Sequence, residues 1–217
     1  MRSLLGAVVL SSMVALTGCG TWGALGQATV ASDGGSKGAG FERPIAVGAT
    51  LRPELKYSLR GAGAPALHYE TTDPSVLSAG EGTLQGRAPG MSGVLLVTDD
   101  GVVVDFFHVW VKGPTSIALS RASSDGKSEE VSGHLELMRG EAVVLSSSLR
   151  GEGQELAGEA EQIWSVKGGA VRLLEEGRSG RRRLVATAPG EAIVDVAALD
   201  RVVSLKVTVH DRKEVSL

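Results

Sequence analysis

GRAPGMSGVLLVTDDGVVVDFFHVWV, from Gly86 to Val111, is matched about 100 residues later by VATAPGEAIVDVAALDRVVSLKVTVH, from Val185 to His210. Each stretch holds an Ala-Pro-Gly turn, an alternating apolar segment, a tight turn and a second alternating segment. Apolar residues at every second position indicate strands with one buried face, and Asp99-Asp100-Gly101 is a strong hairpin signal. The repeat therefore predicts the same strand–turn–strand unit twice.

The repeat extends toward the amino terminus. Tyr69 and Trp164 stand 19 and 24 residues before their respective Ala-Pro-Gly turns. The five additional residues of the second copy fall in the polar segment 175–183, which we expect to be a loop. Further upstream, residues 47–51 match residues 138–143. Two copies of one domain are the simplest explanation of this pattern.

The remaining chain from about Phe41 onward is built of short Val, Leu, Ile and Thr runs that break at Gly, Pro, Asp and Ser. No segment carries a sustained helical apolar pattern, so the expected fold class is all-β, with two tandem β-sandwiches. We expect domain 1 to span 41–113 and domain 2 to span 114–217, with Gly113-Pro114 at the boundary. In the second copy, alternate residues should face the core: Val194, Val196, Val203, Leu205, Val207 and Val209.

The pattern resembles the bacterial Ig-like domains of adhesins and cell-surface proteins. The second copy carries it best, in Gly140-Glu141, Trp164-Ser165, Ala170-Val171, Ala186 to Val194 and Val207-Thr208-Val209. The first copy departs from it, with Tyr69-Glu70 in place of Trp-Ser. The resemblance covers nearly all of residues 41–211 and implies an Ig-like sandwich in which Trp164, or Tyr69 in copy one, is the central aromatic residue.

The amino terminus predicts an exported and lipid-anchored protein. A basic start and the 13 uncharged residues Leu4 to Leu16 form a secretory signal rather than a membrane span, which needs about 20 residues. Leu16-Thr17-Gly18-Cys19 resembles the lipobox of bacterial lipoproteins. That resemblance implies removal of residues 1–18, a diacylglycerol on Cys19 and acylation of the new amino terminus. Acylation also accounts for a lone Cys in an exported chain.

Residues 19–40 are rich in Gly, Ala and Ser and predict a flexible tether between the lipid and the first domain. Gly20, rather than Asp, follows Cys19. By the rule known for Gram-negative lipoproteins, this residue favours the outer membrane. The expected location is therefore the cell envelope, lipid-anchored at the outer membrane and facing either the periplasm or the exterior.

The residues that carry chemistry are scattered. His68, His108, His134 and His210 have no metal-ligand spacing, and no nucleophile elbow, zinc-protease or P-loop motif occurs. Asp99-Asp100 could indicate calcium, although adjacent Asp in a hairpin are usually turn formers. We expect a non-enzymatic protein without metal or cofactor; a hydrolase would need a concave pocket with clustered titratable groups.

Four arginines form the one basic cluster: Arg178, Arg181, Arg182 and Arg183. They could contact an anionic partner such as lipid phosphate or an acidic polysaccharide. The alternative is a solvated loop whose charges pair with Glu175 and Glu176. A formal net charge of −3 without an extended basic face argues against nucleic-acid binding.

The segment Phe106 to Val111 is apolar on both faces, which is typical of a strand covered on both sides. Phe106, His108 and Trp110 share one face. Either the second domain packs on them, which is the interpretation we favour, or they form a partner site.

The leading hypothesis from sequence is a non-catalytic, lipid-anchored envelope protein that presents two Ig-like domains for binding or adhesion. Its partner would be another protein or a polysaccharide. The alternative is a structural accessory subunit of a secretion, motility or polysaccharide-export assembly, for which the Phe106 to Val111 strand would be the docking surface.

Overall fold

A computed structural model describes residues 27–32, 41–58, 66–122, 127–177 and 180–211. Within these ranges the secondary structure is all strand, in two β-sandwiches. The strands of the first sandwich are β1 (Gln27–Ser32), β2 (Ile45–Ala46), β3 (Thr50–Leu51), β4 (Pro53–Ser58), β5 (Leu67–Thr71), β6 (Leu77–Gly80), β7 (Thr83–Gly86), β8 (Gly90–Thr98) and β9 (Val103–Lys112). The expected all-β fold class is confirmed.

The first sandwich packs the sheet β2-β9-β8-β5 against the sheet β3-β7-β6, and β1 pairs with β4 beside them. The residues of β8 and β9 that lie between the sheets include Val94, Leu96, Val109 and Val111. The core includes Leu77, Leu84, Leu96 and Val109, none of which is exposed to solvent.

The second sandwich follows after three connecting residues. Its strands are β10 (Ser116–Ala122), β11 (Ser128–Glu130), β12 (His134–Met138), β13 (Ala142–Gly151), β14 (Gln154–Glu155), β15 (Gln162–Lys167), β16 (Val171–Glu175), β17 (Arg181–Ala186), β18 (Gly190–Ala198) and β19 (Arg201–His210). The order β10-β13-β17-β16 faces β15-β18-β19, as strands A-B-E-D face C-F-G in an Ig domain. An added strand, β12, lies parallel to β19.

The alternation expected in the second copy is confirmed. Val194, Val196, Leu205, Val207 and Val209 are buried in one cluster, and Val203 packs on its margin. Trp164 also packs against this cluster but stays only partly buried, whereas Tyr69 in the first sandwich is 5% exposed. The first copy therefore buries its central aromatic residue more completely than the second.

The strand registers show that the two copies are structurally equivalent. Tyr69 pairs with Leu96 and Trp164 pairs with Val196, partners that are 100 residues apart. The Gly48 N–H donates to Gly86 C=O at 2.8 Å, and the Gly140 N–H donates to Ala186 C=O at 2.9 Å. These two glycines have the same left-handed backbone, with φ of 83° and 84°. The upstream match between residues 47–51 and 138–143 is thus structural as well.

Strand β1 lies inside the segment expected to be a flexible tether. It pairs with β4 from Gln27 opposite Ser58 to Ser32 opposite Pro53. In the second sandwich β10 pairs with β13 over the equivalent six residues, from Ser116 opposite Arg150 onward. Strand β1 is therefore the first strand of the first sandwich. The interpretation of 19–40 as a tether is wrong for residues 27–32, because its average Gly-rich composition concealed the β-prone run QATVAS. The remainder of that segment, and the signal peptide 1–18, lie outside the described residues.

Backbone hydrogen bonds join the two sandwiches. Ala46 N–H donates to Ala157 C=O at 3.0 Å, and Ala157 N–H donates to Pro44 C=O at 2.7 Å. Thr50 and Glu159 exchange two further bonds of 2.9 and 2.8 Å. We call this contact between residues 44–50 and 156–160 the joint. Four main-chain bonds make it a continuation of the β-structure rather than a hinge.

Side chains reinforce the joint. Leu199, in the β18–β19 turn, lies against Gly48, where an added Cβ would be 2.8 Å from its Cδ2. The Arg201 guanidinium donates to Pro114 C=O at 3.1 Å. Ion pairs link Arg43 with Glu155 at 2.7 Å and Lys112 with Glu152 at 2.5 Å. Because their carboxylates are well exposed, these ion pairs contribute little stability and mainly fix the orientation.

Candidate contact surface

The outer face of β9 exposes large apolar side chains. Val109 and Val111 point inward and are buried, while the alternate residues Phe106 and Trp110 are 44% and 53% exposed. His108 lies between them and is exposed. The second sandwich does not cover this face, so the interpretation of intramolecular packing, which the sequence favoured, is not met by the described residues. The joint instead engages residues 44–50, at the end of the sheet.

Phe106 and His108 are partly held by contacts within their own sheet. Their rings meet edge to face, with centroids 4.7 Å apart. Gly93, on the neighbouring strand β8, has no side chain, and the Phe106 ring occupies that space; an added Cβ would be 2.6 Å from it. Phe106 therefore shields a glycine of its own sheet.

Trp110 is more exposed to solvent than Phe106. Its cross-strand neighbour is Met91, which is 48% exposed. Met91 was not predicted from the sequence as a surface residue, although its position directly after the Ala-Pro-Gly turn places it opposite the end of β9. Two large apolar side chains, each about half exposed and in adjacent positions, form a surface suited to contact with a partner.

A groove of about 320 Å³ begins at Trp110 and runs along the joint. We call it the joint groove; its lining residues are Phe41, Glu42, Pro44, Trp110, Lys112 and Gln154. Gln154 comes from the second sandwich and the others from the first. Clefts between domains are frequent ligand sites. Of these residues, only Trp110 was predicted from the sequence as a candidate contact residue.

Two arginines of the cluster, Arg182 and Arg183, pair with neighbouring carboxylates. Arg181, Arg182 and Arg183 belong to strand β17, so the expected loop is corrected to a strand there, because they pair in register with β13 and β16. Arg183 donates twice to the Glu176 carboxylate, at 3.0 and 2.7 Å. These bonds lower the pKa of Glu176 below its ordinary range and raise the pKa of Arg183. Arg178 lies outside the described residues.

The same pattern of local pairing holds for Arg182, which has Glu175 at 3.9 Å and donates to the Arg181 carbonyl. An anionic partner would have to displace these carboxylates. The geometry therefore supports the alternative in which the arginines pair with Glu175 and Glu176.

The Asp99-Asp100-Gly101 segment acts as a turn. Gly101 has φ of 84°, its N–H donates to Thr98 C=O at 2.9 Å, and the Thr98 hydroxyl donates to the Asp100 carboxylate. Across the described residues, no group of three or more His, Cys, Asp or Glu side chains is arranged to hold a metal ion. All four histidines are exposed.

A second groove, of about 300 Å³, lies at the edge of the second sandwich. Its charged side chains are paired: Arg121 with Glu129 at 2.8 Å, and Arg150, nearby, with Glu130 at 2.6 Å.

No helix in the described part of the chain is long and apolar enough to cross a membrane.

No protein-family model and no curated protein sequence matches this chain. Among solved structures, domains 4 and 5 of the S-layer protein SbsC are 14% identical, with a TM-score of 0.31, covering 85% of this chain and 98% of that one. The Escherichia coli adhesin FdeC is 15% identical, with a TM-score of 0.36, covering 86% of this chain and 64% of that one. Invasin, a bacterial integrin-binding protein, is 16% identical, with a TM-score of 0.34, covering 85% of this chain and 40% of that one. At these identities the likeness concerns the fold alone.

Proposed function

We propose that this protein is a non-catalytic, lipid-anchored component of the bacterial cell envelope that presents two Ig-like domains for binding or adhesion. The observation that carries the proposal is the exposed pair Met91 and Trp110, set on a sandwich that the joint fixes to a second one. An apolar contact surface on a stiff two-domain body suits recognition of another macromolecule.

The distribution of perturbed groups supports a non-catalytic role. Among the described residues, the shifted pKa values belong to Tyr69, Asp73, Glu176, Arg183 and Asp195, and each follows from burial or from a local hydrogen bond or ion pair. None of these five residues lines either groove. A catalytic site is expected to gather such groups in a cleft.

The position of β1 bears on anchoring at Cys19. Gln27, where β1 begins, is only eight positions beyond Cys19. Even fully extended they span at most ~28 Å. Acylation of Cys19 would therefore hold the first sandwich close to the membrane surface, which suits a partner in the envelope itself.

The anchor is tested by replacing Cys19 with Ser. We expect the wild-type protein to fractionate with outer membranes and to carry three acyl chains by mass spectrometry of its amino-terminal peptide. The C19S variant should appear in the soluble fraction. Membrane association that survives the substitution, with an unmodified amino terminus in the wild type, would refute lipid anchoring.

The binding role is tested separately, by crosslinking in whole cells through a photoreactive residue placed at Trp110. We expect a discrete crosslinked species that is absent when the same photoreactive residue is placed at Arg172. Arg172 is an exposed position on β16 of the second sandwich. Identical patterns from both positions would contradict a specific contact surface.

The exposed β9 face also keeps the accessory-subunit alternative open, because that hypothesis requires the same surface. The identity of the crosslinked species separates the two. A structural component of a secretion, motility or export assembly would favour the accessory role, whereas a ligand outside such an assembly would favour adhesion.

A further inference from the structure

The joint groove exists because the first sandwich differs from the second in how far its added parallel strand extends. In the second sandwich β12 pairs with β19 over five residues, from His134 opposite Lys206 to Met138 opposite His210. In the first, β2 pairs with β9 over only Ile45 and Ala46. Pro44 stands at the position of Glu136, where no described residue continues the pairing with β9, and its C=O accepts from the Ala157 N–H. The chain turns away before Pro44, which opens the groove.

Because β2 is short, main-chain groups of β9 are left without a partner among the residues that the structure describes. The Val47 N–H donates to Lys112 C=O, so the backbone groups of Lys112, and by alternation those of Trp110 and His108, face the side of β2. In the second sandwich the Lys206 N–H, equivalent to that of His108, donates to Gly133 C=O at 3.0 Å. No described residue accepts a corresponding hydrogen bond from the His108 N–H. Within the described part of the chain, β9 therefore offers an unpaired strand edge beside the groove.

The side chains of the groove carry one uncompensated charge. Lys112 is paired with Glu152, and the neighbouring Arg43 is paired with Glu155. The exposed Glu42 carboxylate makes no hydrogen bond or ion pair with any described residue. The groove thus combines the Trp110 indole, a free carboxylate and an open strand edge, which together favour a cationic group above the indole.

We propose that the joint groove binds a short extended peptide segment that carries a basic side chain. Its backbone adds to the open edge of β9 where β2 stops, as β12 does along β19. Its Arg or Lys side chain lies over the Trp110 indole and pairs with Glu42. The volume of about 320 Å³ fits a few residues. This inference deepens the proposed function and rests on it, since it names the chemistry of the partner.

The test uses the full-length protein and two fluorescein-labelled peptides, Ser-Val-Arg-Val-Ser and Ser-Val-Glu-Val-Ser, in fluorescence polarisation. We expect saturable binding of the arginine peptide and at least tenfold weaker binding of the glutamate peptide. Glu42→Gln and Trp110→Ala should each weaken binding of the arginine peptide about tenfold. Thr208→Ala, at the position equivalent to Trp110 in the second sandwich, is the matched control and should leave binding unchanged. Thermal unfolding by circular dichroism confirms that each variant is folded.

Equal affinity for both peptides, no saturable binding, or the same loss in Thr208→Ala would overturn the inference. So would Trp110-dependent binding of chitotetraose in place of the peptides, because the occupant would then be a saccharide. If the Trp110 crosslink in cells persists while the arginine peptide does not bind, the proposed function stands and only the peptide assignment fails.

Discussion

Ala46 donates its N–H to the carbonyl of Ala157 at 3.0 Å, and each of these alanines belongs to the buried cluster of the other residue's sandwich. Ala46 completes the second core, and Ala157 completes the first. The two cores therefore share residues across the joint. Each sandwich approaches the lower size limit for an independent core, so this exchange adds stability to both.

The shared alanines predict cooperative unfolding. Ala157→Glu places a charge at a site that is 6% exposed and should cost more than ~2 kcal/mol. We expect one thermal transition in the wild type and two separated transitions in the variant, measured by differential scanning calorimetry. Glu161→Ala, exposed and just beyond the joint, should retain the single transition. Two transitions in the wild type would contradict coupling through the joint.

Gly48 and Gly140 provide a matched pair for separating backbone strain from crowding. Both have φ near +84°, but an added Cβ meets the Leu199 side chain at Gly48 and open space at Gly140. Gly140→Ala should cost roughly 1 kcal/mol from its left-handed backbone, and Gly48→Ala should cost more, by about 0.5–1 kcal/mol.

Urea unfolding measures the difference between these two variants. Combining Gly48→Ala with Leu199→Ala should remove the excess, as in a double-mutant cycle. Equal losses in the two single variants would show that Leu199 moves aside without cost.

Tyr69 carries a buried hydroxyl without a hydrogen-bond partner among the described residues. Tyr69→Phe removes that unpaired polar group and should raise the free energy of unfolding by ~1–2 kcal/mol at neutral pH. Chemical denaturation checks this directly. A loss of stability would indicate that the hydroxyl is satisfied by an ordered water.

Alkaline pH offers a second readout of Tyr69. Burial raises the pKa of Tyr69 to about 12. Above pH 10 the unfolded phenol loses its proton while the folded one keeps it, so wild-type stability should fall as pH rises from 10 to 12. Tyr69→Phe lacks this contribution, and its advantage over the wild type should grow across the same interval.

Asp195 predicts a contribution to acid sensitivity. Its carboxylate accepts from the Lys167 ammonium at 2.8 Å and the Ser204 hydroxyl at 2.6 Å, and these bonds lower its pKa. A depressed folded-state pKa stabilises the protein above the unfolded pKa of about 4, and this stability is lost as pH falls through the folded pKa. Asp195→Asn should remove that part of the acid dependence.

The Asp195 prediction is measured by urea midpoints between pH 2 and 6. Ser204→Ala removes one of the two bonds and should move the pKa of Asp195 toward its ordinary value, observed by carboxyl NMR. An unchanged titration in Ser204→Ala would mean that Lys167 alone sets the shift.

The sequence alone predicted the features that depend on residues close together along the chain. The Ala-Pro-Gly turns, the alternation along β18 and β19, and the equivalence of Tyr69 and Trp164 are all present in the structure, because period-two burial and turn chemistry act within a few residues. Strand β1 was missed because its six residues lie in a Gly-rich segment and gain their partner only through β4.

Tertiary features were less accessible from sequence. The joint depends on main-chain bonds of small residues such as Ala46 and Ala157, which leave no distinctive pattern. The exposure of Trp110 depends on where the second sandwich docks, and the joint groove depends on how far β2 follows β9.

The direction of the strands has a mechanical consequence. Ser32, at one end of β1, pairs with Pro53 next to the joint. Gln27, at the other end of β1, therefore lies at the end of the first sandwich that is away from the joint. His210 ends β19 at the opposite pole of the second sandwich. Tension applied between these two points runs parallel to the strands, so the six pairs of β1 and β4 bear the load together in shear instead of opening one after another.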